Sequence, residues 1–471
     1  MQLYSTNHNS PEVSLKEAVL RGLAPDGGLY MPKEIPKLPQ EFFDKIHTLN
    51  FQEIALEVAH ALVQNDIPRS DLKKIIDESI NFDAPLLALN KELFALELYH
   101  GPTLAFKDFG ARFIARLVSY FSDKPLIILV ATSGDTGSAV AQGFLKVPGT
   151  SVVLLYPGGK VSHIQEQQLS TLKDNISALE INGNFDDCQA LVKKAFNELG
   201  LDHLNLTSAN SINIARLIPQ SFYYFWAYAQ HRQYEIEHGI KRAHGASAQQ
   251  RDESGFAGSA LQQAHTHNAP IFAIPSGNFG NLTAGLIAKR MGLPVSKFVA
   301  AVNANDSFTK YLETGHFEPK PTKQTITNAM DVGNPSNFAR ITELYQNDLQ
   351  AIKEDIWSKS FTDEQTKEAL RKVYKEYNYI MDPHGAVAYL GLQEYLRQSM
   401  PAPGIFLETA HPAKFKDVVE EALGEGLPKA QKGPQIEIPA TLAACLNKKK
   451  HTHKLDPDFY YFKNWLIEKF S

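Results

Sequence analysis

Between residues 125 and 199 three apolar runs alternate with three amphipathic stretches: Pro125 to Thr132 then 137–146, Ser151 to Pro157 then 162–173, Ile176 to Asn182 then 186–199. Strand-length apolar runs separated by helical patterns imply parallel strands joined by crossovers, hence a layered α/β domain. Parallel sheets set their strand-to-helix turns at the carboxyl ends of the strands, where ligands bind. The same signals resume at Pro270 to Pro275 and continue towards 425, while residues 1–90 read as a cap of short elements. That cap has a turn at Pro25-Asp26-Gly27-Gly28 and helical patterns near 38–64 and 69–80. At 471 residues the chain exceeds one ordinary core, so two to four domains are expected.

Charge narrows the partners. Forty-seven basic against 52 acidic residues give a net −5, which provides no general attraction to nucleic acid or an anionic membrane. Any anion must therefore be bound locally. Cys188 and Cys445 lack a Cys-x-x-Cys spacing, so neither a disulfide framework nor a zinc site is indicated, and a reducing cytoplasm fits. The amino terminus lacks the basic and apolar regions of a signal peptide, and no apolar run is long enough to span a bilayer. The histidine-bearing stretch 231–268 reads as a surface insertion. Its pair His265 and His267 lacks a third ligand, so no metal is expected. The basic run 448–454 reads as a solvated turn before the aromatic-rich 459–470.

Five segments carry chemistry. Lys107 lies in His100-Gly-Pro-Thr-Leu-Ala-Phe-Lys-Asp-Phe-Gly110, flanked by Leu104, Phe106 and Phe109. A lysine forms a Schiff base only as the free amine, so a reactive one is kept dry by such walls. Ser133-Gly134-Asp135-Thr136-Gly137 joins a strand to a helix, exposing N–H groups at a helix amino terminus that suits a carboxylate or phosphate. Ser276-Gly277-Asn278-Phe279-Gly280-Asn281 repeats that arrangement. It matches neither the Walker loop nor the dinucleotide fingerprint. A plain tight turn explains the glycines of 133–137 equally simply, and those of 276–281 slightly less well than a phosphate cradle does. Ser208 to Arg216 is dense in amide and hydroxyl donors and ends in a permanent cation, which suits a phosphate monoester. Asn213 and Arg216 would share a face if this stretch is helical. Finally, Leu407-Glu-Thr409-Ala-His-Pro-Ala-Lys-Phe415 offers a hydroxyl at Thr409 that can meet a ring nitrogen, or a helix cap.

In this order, and with Arg21-Gly-Leu-Ala-Pro-Asp-Gly-Gly-Leu-Tyr-Met-Pro32 ahead of them, the segments resemble the threonine synthase family of pyridoxal phosphate enzymes, of the fold type that includes the tryptophan synthase β subunit. The resemblance spans most of the chain but not 231–268 or the tail after about 430. It implies two three-layer α/β domains with pyridoxal 5'-phosphate in the cleft between them. Residues 1–90 would be the amino-terminal extension, 91–119 with 216–471 the larger domain, and 120–215 the smaller, closing one. Lys107 would carry the cofactor and shuttle protons; Gly277, Asn278, Phe279, Gly280 and Asn281 would surround its phosphate, and Thr409 would face its ring nitrogen. Ser133, Gly134, Asp135, Thr136 and Gly137 would bind the substrate α-carboxylate, Asp135 through its backbone N–H. Asn210, Ser211 and Arg216 would bind the substrate phosphate. The implied reaction converts O-phospho-L-homoserine and water into L-threonine and phosphate, in a monomer or homodimer. The rivals are a phospholyase releasing ammonia and 2-oxobutyrate, a serine/threonine dehydratase, and a non-catalytic scaffold. His384, between Pro383 and Gly385, reads as a loop-stabilising residue and stays outside the catalytic set.

Overall fold

Met1 begins a small antiparallel sheet in which β1 (Gln2–Ser5) pairs with β2 (Val13–Ser14) and β3 (Tyr30–Pro32). The structure, a computed structural model, describes residues 1–64, 66–240, 269–425 and 434–471. The expected cap helices form at Gln40–Lys45, Phe51–Val63 and Arg69–Ser79. Asn50 and Glu53 close a capping box at the start of the second, satisfying two N–H groups that the first turn leaves unpaired.

Two larger sheets follow, and the chain leaves and re-enters the first. β4 (Leu86–Ala88) and β5 (Leu93–Glu97) start it; β6 (Leu126–Ala131), β7 (Thr150–Pro157), β8 (Ile176–Ile181) and β9 (Leu206–Ser208) build the second. The chain then returns through β10 (Ile271–Pro275), β11 (Lys297–Val302), β12 (Ile356–Ser360) and β13 (Gly404–Glu408). The first sheet has the order β12-β11-β10-β13-β5-β4, parallel except for the antiparallel β4 at its edge.

Both sheets are covered on both faces, as parallel strands require. Alternation along β6 shows how: Ile128 and Val130 pack with Phe113 and Val140, while Ile127, Leu129 and Ala131 pack with Cys188 and Leu191. In β10, Phe272 and Ile274 meet Tyr224 and Leu282 on one face, and Ile271 and Ala273 meet Ala388 and Tyr389 on the other. Each such side chain fully buried contributes about 1.5–3 kcal/mol, which fixes the register of every strand.

Two expectations change. The segment 231–237 is not part of an insertion: it completes the helix Ile218–Glu237, and His231 is buried against the Phe94 ring. Residues 238–240 close that helix, with His238 N–H donating to Tyr234 O, and 241–268, including His244, His265 and His267, lie outside the described residues. The basic run 448–454 is not wholly a turn. Its second half, β14 (Thr452–Leu455), pairs with β8 and completes the second sheet in the order β14-β8-β7-β6-β9. The terminal helix Phe459–Phe470 then buries Phe462 and Leu466 beneath that sheet. Among the described residues no helix is long and apolar enough to cross a membrane.

Candidate active site

The carboxyl ends of β5, β6, β9, β10 and β13 turn towards one cleft, and the five chemistry-bearing segments are the turns that leave them. Lys107 opens the helix Lys107–Phe121 at the end of a tightly fixed turn. Asp108, fully buried, accepts hydrogen bonds from the Thr103 amide (2.8 Å) and hydroxyl (2.7 Å). Burial nonetheless pushes the Asp108 carboxyl up to about 6, because the Thr103 donors and the nearby cations offset only part of the desolvation. A Cβ on Gly101 would lie 2.5 Å from that carboxylate, so glycine is required there. Leu104 has φ +56°, a strained conformation stabilised from outside: its carbonyl accepts from His411 N–H (3.0 Å), and Phe106 N–H donates to Thr409 O (2.9 Å). The Lys107 turn is thereby bolted to the Thr409 turn.

Burial pushes Lys107 down to about 8; Asp135 raises it, whereas Lys414 and Arg216 lower it further. Its amine lies 4.0 Å from Asp135 and 5.6 Å from the Phe106 ring centroid. A largely buried amine that gives up its proton more readily than a lysine in water favours condensation with an aldehyde.

On the first sheet, Phe279 adopts φ +57° ahead of the helix Gly280–Arg290, leaving the N–H groups of Gly280 and Asn281 at the helix start, while Leu282 N–H donates to Asn281 Oδ1 (2.9 Å). A Cβ on Gly277 would lie 2.8 Å from Met330 Cα, so only glycine lets the loop pass there. Asn278 donates to Ser211 Oγ (2.5 Å), joining this loop to the segment after β9. There Arg216 is 2 % exposed, donates to Ala209 O (2.6 Å), and is held down to about 10 by burial, with only the field of Asp108 opposing. Asn213 and Arg216 do not share an α-helical face as expected. Asn213 caps a short 3-10 turn, Ile214–Arg216, and its amide donates to Val19 O and Ser208 O.

The 133–137 turn is partly self-satisfied. The Thr132 hydroxyl accepts from Gly134 N–H (3.0 Å) and Gly137 N–H (2.8 Å), so those two groups do not serve a ligand. Ser133 and Thr136 line the cleft; Gly134, Asp135 and Gly137 do not. The Asp135 side chain turns to Lys414 (2.7 Å) and Gln165 (3.0 Å). Burial alone would raise its carboxyl, but Lys414 and Lys107 hold it well below the usual range.

Thr409 lines the cleft, and behind it Asp382 gathers donors. Asp382 accepts from His384 Nδ1 (2.6 Å) and from the N–H groups of His384, Thr409 and Ala410. Burial and the Asp382 charge keep Glu408 protonated well above the usual carboxyl range. His384 accepts from Ala329 N–H through Nε2 (3.3 Å), so it does stabilise a loop, and it also lines the cleft.

Lys107, Asn210, Ser211, Arg216, Gly277, Asn278, Phe279, Gly280, Asn281 and Thr409 therefore meet at one cleft with Ser133 and Thr136. Phe185, Gln189, Gln220, Met330 and His384 join them without having been singled out as site residues. Only His384 carried a signal, its place beside Pro383 and Gly385. Three buried atoms of this lining, Arg216 Nε, Asn210 Oδ1 and Gln220 Oε1, have no partner. Arg216 Nε is a donor and fits an anionic, phosphate-bearing group, whereas the two amide oxygens are acceptors and suit a hydroxyl or N–H donor.

Residues 82–405 match the family described as pyridoxal-phosphate dependent enzyme. Residues 2–80 match the threonine synthase N terminus, and 385–464 the C-terminal part of threonine synthase. Threonine synthase of Escherichia coli is 40% identical over 98% of this chain and 97% of its own. The crystal structure of that species' threonine synthase covers 100% of both chains with a TM-score of 0.86. A pyridoxal-phosphate-bound threonine synthase from Brucella melitensis reaches 0.84 at 32% identity, covering 100% of this chain and 99% of that one. The chain belongs to the threonine synthase family of pyridoxal-phosphate-dependent enzymes.

Proposed function

We propose that this chain uses pyridoxal 5'-phosphate to convert O-phospho-L-homoserine and water into L-threonine and phosphate. The observation that carries this reading is Arg216, a buried guanidinium in the same cleft as Lys107, bonded to a carbonyl and lacking a partner at Nε. A buried cation of this kind is balanced by an anionic ligand, and a dehydratase substrate brings no phosphate to it.

In this reading Lys107 bears the cofactor, Gly277, Asn278, Phe279, Gly280 and Asn281 hold its phosphate, and Thr409 faces its ring nitrogen. Bound there, the cofactor would supply an electron sink that makes the proton on the amino-bearing carbon, and then those on the next carbon, acidic. Lys107, as a free amine, accepts the protons lost from Cα and then Cβ, and returns protons to Cγ after phosphate leaves and to Cα after water adds at Cβ. Ser133 and Thr136, with the Thr136 N–H group, hold the α-carboxylate. Asn210, Ser211 and Arg216 hold the γ-phosphate while it leaves Cγ. Anchoring both ends of a short amino acid fixes which carbon faces Lys107. Phe106 and Phe185 limit the water that enters before addition at Cβ.

The domain division we propose is a cap of 1–90, a larger unit of 91–119 and 216–471, and a smaller unit of 120–215 that closes on the substrate. The pairing of β14 with β8 moves the tail, 452–471, out of that larger unit, leaving it 91–119 with 216–451, and into the smaller one. A cytoplasmic location accords with two unpaired cysteines, Cys188 and Cys445.

The test is one reaction of purified protein, pyridoxal phosphate and O-phospho-L-homoserine, following phosphate, L-threonine and 2-oxobutyrate together. Equal release of phosphate and threonine is expected. Phosphate with 2-oxobutyrate would mean the phospholyase instead.

A further inference from the structure

Three charged groups from three different elements meet beneath the cleft. Lys107 opens its helix, Asp135 opens the helix Asp135–Phe144, and Lys414 lies in the short turn Pro412–Phe415. Two of them are engaged with each other. Lys414, whose side chain is wholly buried, donates to Asp135 Oδ1 at 2.7 Å and to Thr103 O at 3.0 Å. Gln165 donates to the same Oδ1 at 3.0 Å, and its own oxygen accepts from Asn328 and from Ser162 N–H. Lys107 is left at 4.0 Å from Oδ2, beyond hydrogen-bonding distance.

We propose that Lys414 is a positioning residue for Lys107: by binding the Asp135 carboxylate it prevents that carboxylate from fixing Lys107 as an ammonium ion. The proposal rests on the reading of Lys107 as the cofactor-bearing lysine and concerns what sets its proton affinity. In a dry site one carboxylate balances one cation. With Lys414 as that cation, a second ammonium at Lys107 is not fully compensated, and Lys107 gives up its proton more readily than a lysine in water. Without Lys414, the buried Asp135 would have Lys107 alone to balance it. Lys107 would then be held as a cation and withheld from an aldehyde.

The charged groups that reach Lys107 are Asp135, Lys414 and Arg216. Asp108 is engaged with Thr103, and His384 of the same lining with Asp382. The two halves of the pair therefore have opposite effects, which a purely structural contact would not have.

The experiment labels the cofactor-free full chain with trace acetic anhydride at a series of pH values and reads acetylation of Lys107 by mass spectrometry. The parent midpoint is expected at about 8. Lys414→Gln moves it up by about one pH unit or more, Asp135→Asn moves it down, and Lys414→Arg leaves it near the parent value. Midpoints that move the same way in Lys414→Gln and Asp135→Asn, or do not move, overturn the proposal. Should Lys414→Gln fail to fold, Asp135→Asn decides alone: an unchanged or raised midpoint overturns it. Adding pyridoxal phosphate to the same parent sample separates the two readings. Lack of uptake at Lys107 would overturn the cofactor assignment and leave the labelling result standing.

Discussion

Lys107 differs from a lysine in water by where it is: burial lowers its hold on the proton, and the role proposed for it rests on that. The flanking Leu104, Phe106 and Phe109 made a dry environment legible in the sequence. The Asp135–Lys414 pair beside it was not, because ion pairs between distant turns leave no local pattern. We expect Lys107→Ala to abolish the visible absorbance of bound pyridoxal phosphate and to cut turnover by at least about 10²–10⁴-fold from the lost proton transfers alone. An absorbance titration beside the product assay checks both; retained absorbance would refute the assignment. Arg216 is predicted to act on substrate instead. Arg216→Ala should lower kcat/KM for the phosphorylated substrate by roughly 30- to 1,000-fold, the equivalent of about 2–4 kcal/mol, while pyridoxal phosphate still binds. Equal loss of cofactor and substrate binding would contradict that role.

At the scale of elements, the turns that leave the strands carry the site, and their existence was easier to read than their wiring. The runs ending at Thr132 and Pro275 announced strand-to-helix turns through their glycines. Which N–H groups remain for a ligand depends on Thr132, whose hydroxyl takes two of them. The turn after β13 shows the same. Asp382 caps the helix Pro383–Leu396 and draws in Thr409, and a protonated Glu408 closes the arrangement from below. A Cβ on Gly385 would lie 2.0 Å from Glu408 Oε1, so that carboxyl is packed directly on backbone. Because folding raises the Glu408 pKa, the folded state takes up a proton that the unfolded chain has lost above about 4.3. This group's contribution to stability is therefore complete below that pH and declines as pH rises. Glu408→Gln keeps the shape and removes the proton. We expect its stability relative to the parent to improve from pH 5 to pH 8, by at most about 1.4 kcal/mol per pH unit, in urea unfolding at both values. An unchanging difference would show that Glu408 is ionised in the fold.

Across the whole molecule, the layered architecture followed from alternating runs whose period the eye can test, and β6, β7 and β8 lie within a residue of the expected runs. What failed were segments whose polarity hides their packing. The helix end 231–237 and strand β14 are rich in His, Lys and Glu, yet one buries His231 and the other completes a sheet. Arg340 is the third such case and joins the most distant parts. Its wholly buried guanidinium, pushed down to about 9 by burial, donates to Tyr30 O (3.1 Å), Ser211 O (3.0 Å) and Ile212 O (2.7 Å). Asn337 Oδ1 accepts from it as well, at 2.7 Å. One side chain thus ties the amino-terminal cap to the segment proposed to hold the substrate phosphate, which gives the cap a bearing on the site although it contributes no lining residue. Arg340→Met preserves much of the volume and leaves three carbonyls without that donor, each worth about 1–3 kcal/mol if no water replaces it. We expect the urea midpoint to fall and KM for the phosphorylated substrate to rise, with pyridoxal phosphate uptake at Lys107 little changed, because Ser211 and Ile212 lose their anchor while the Lys107 turn keeps Thr103 and Thr409. Loss of cofactor uptake in parallel would show instead that Arg340 supports the fold as a whole.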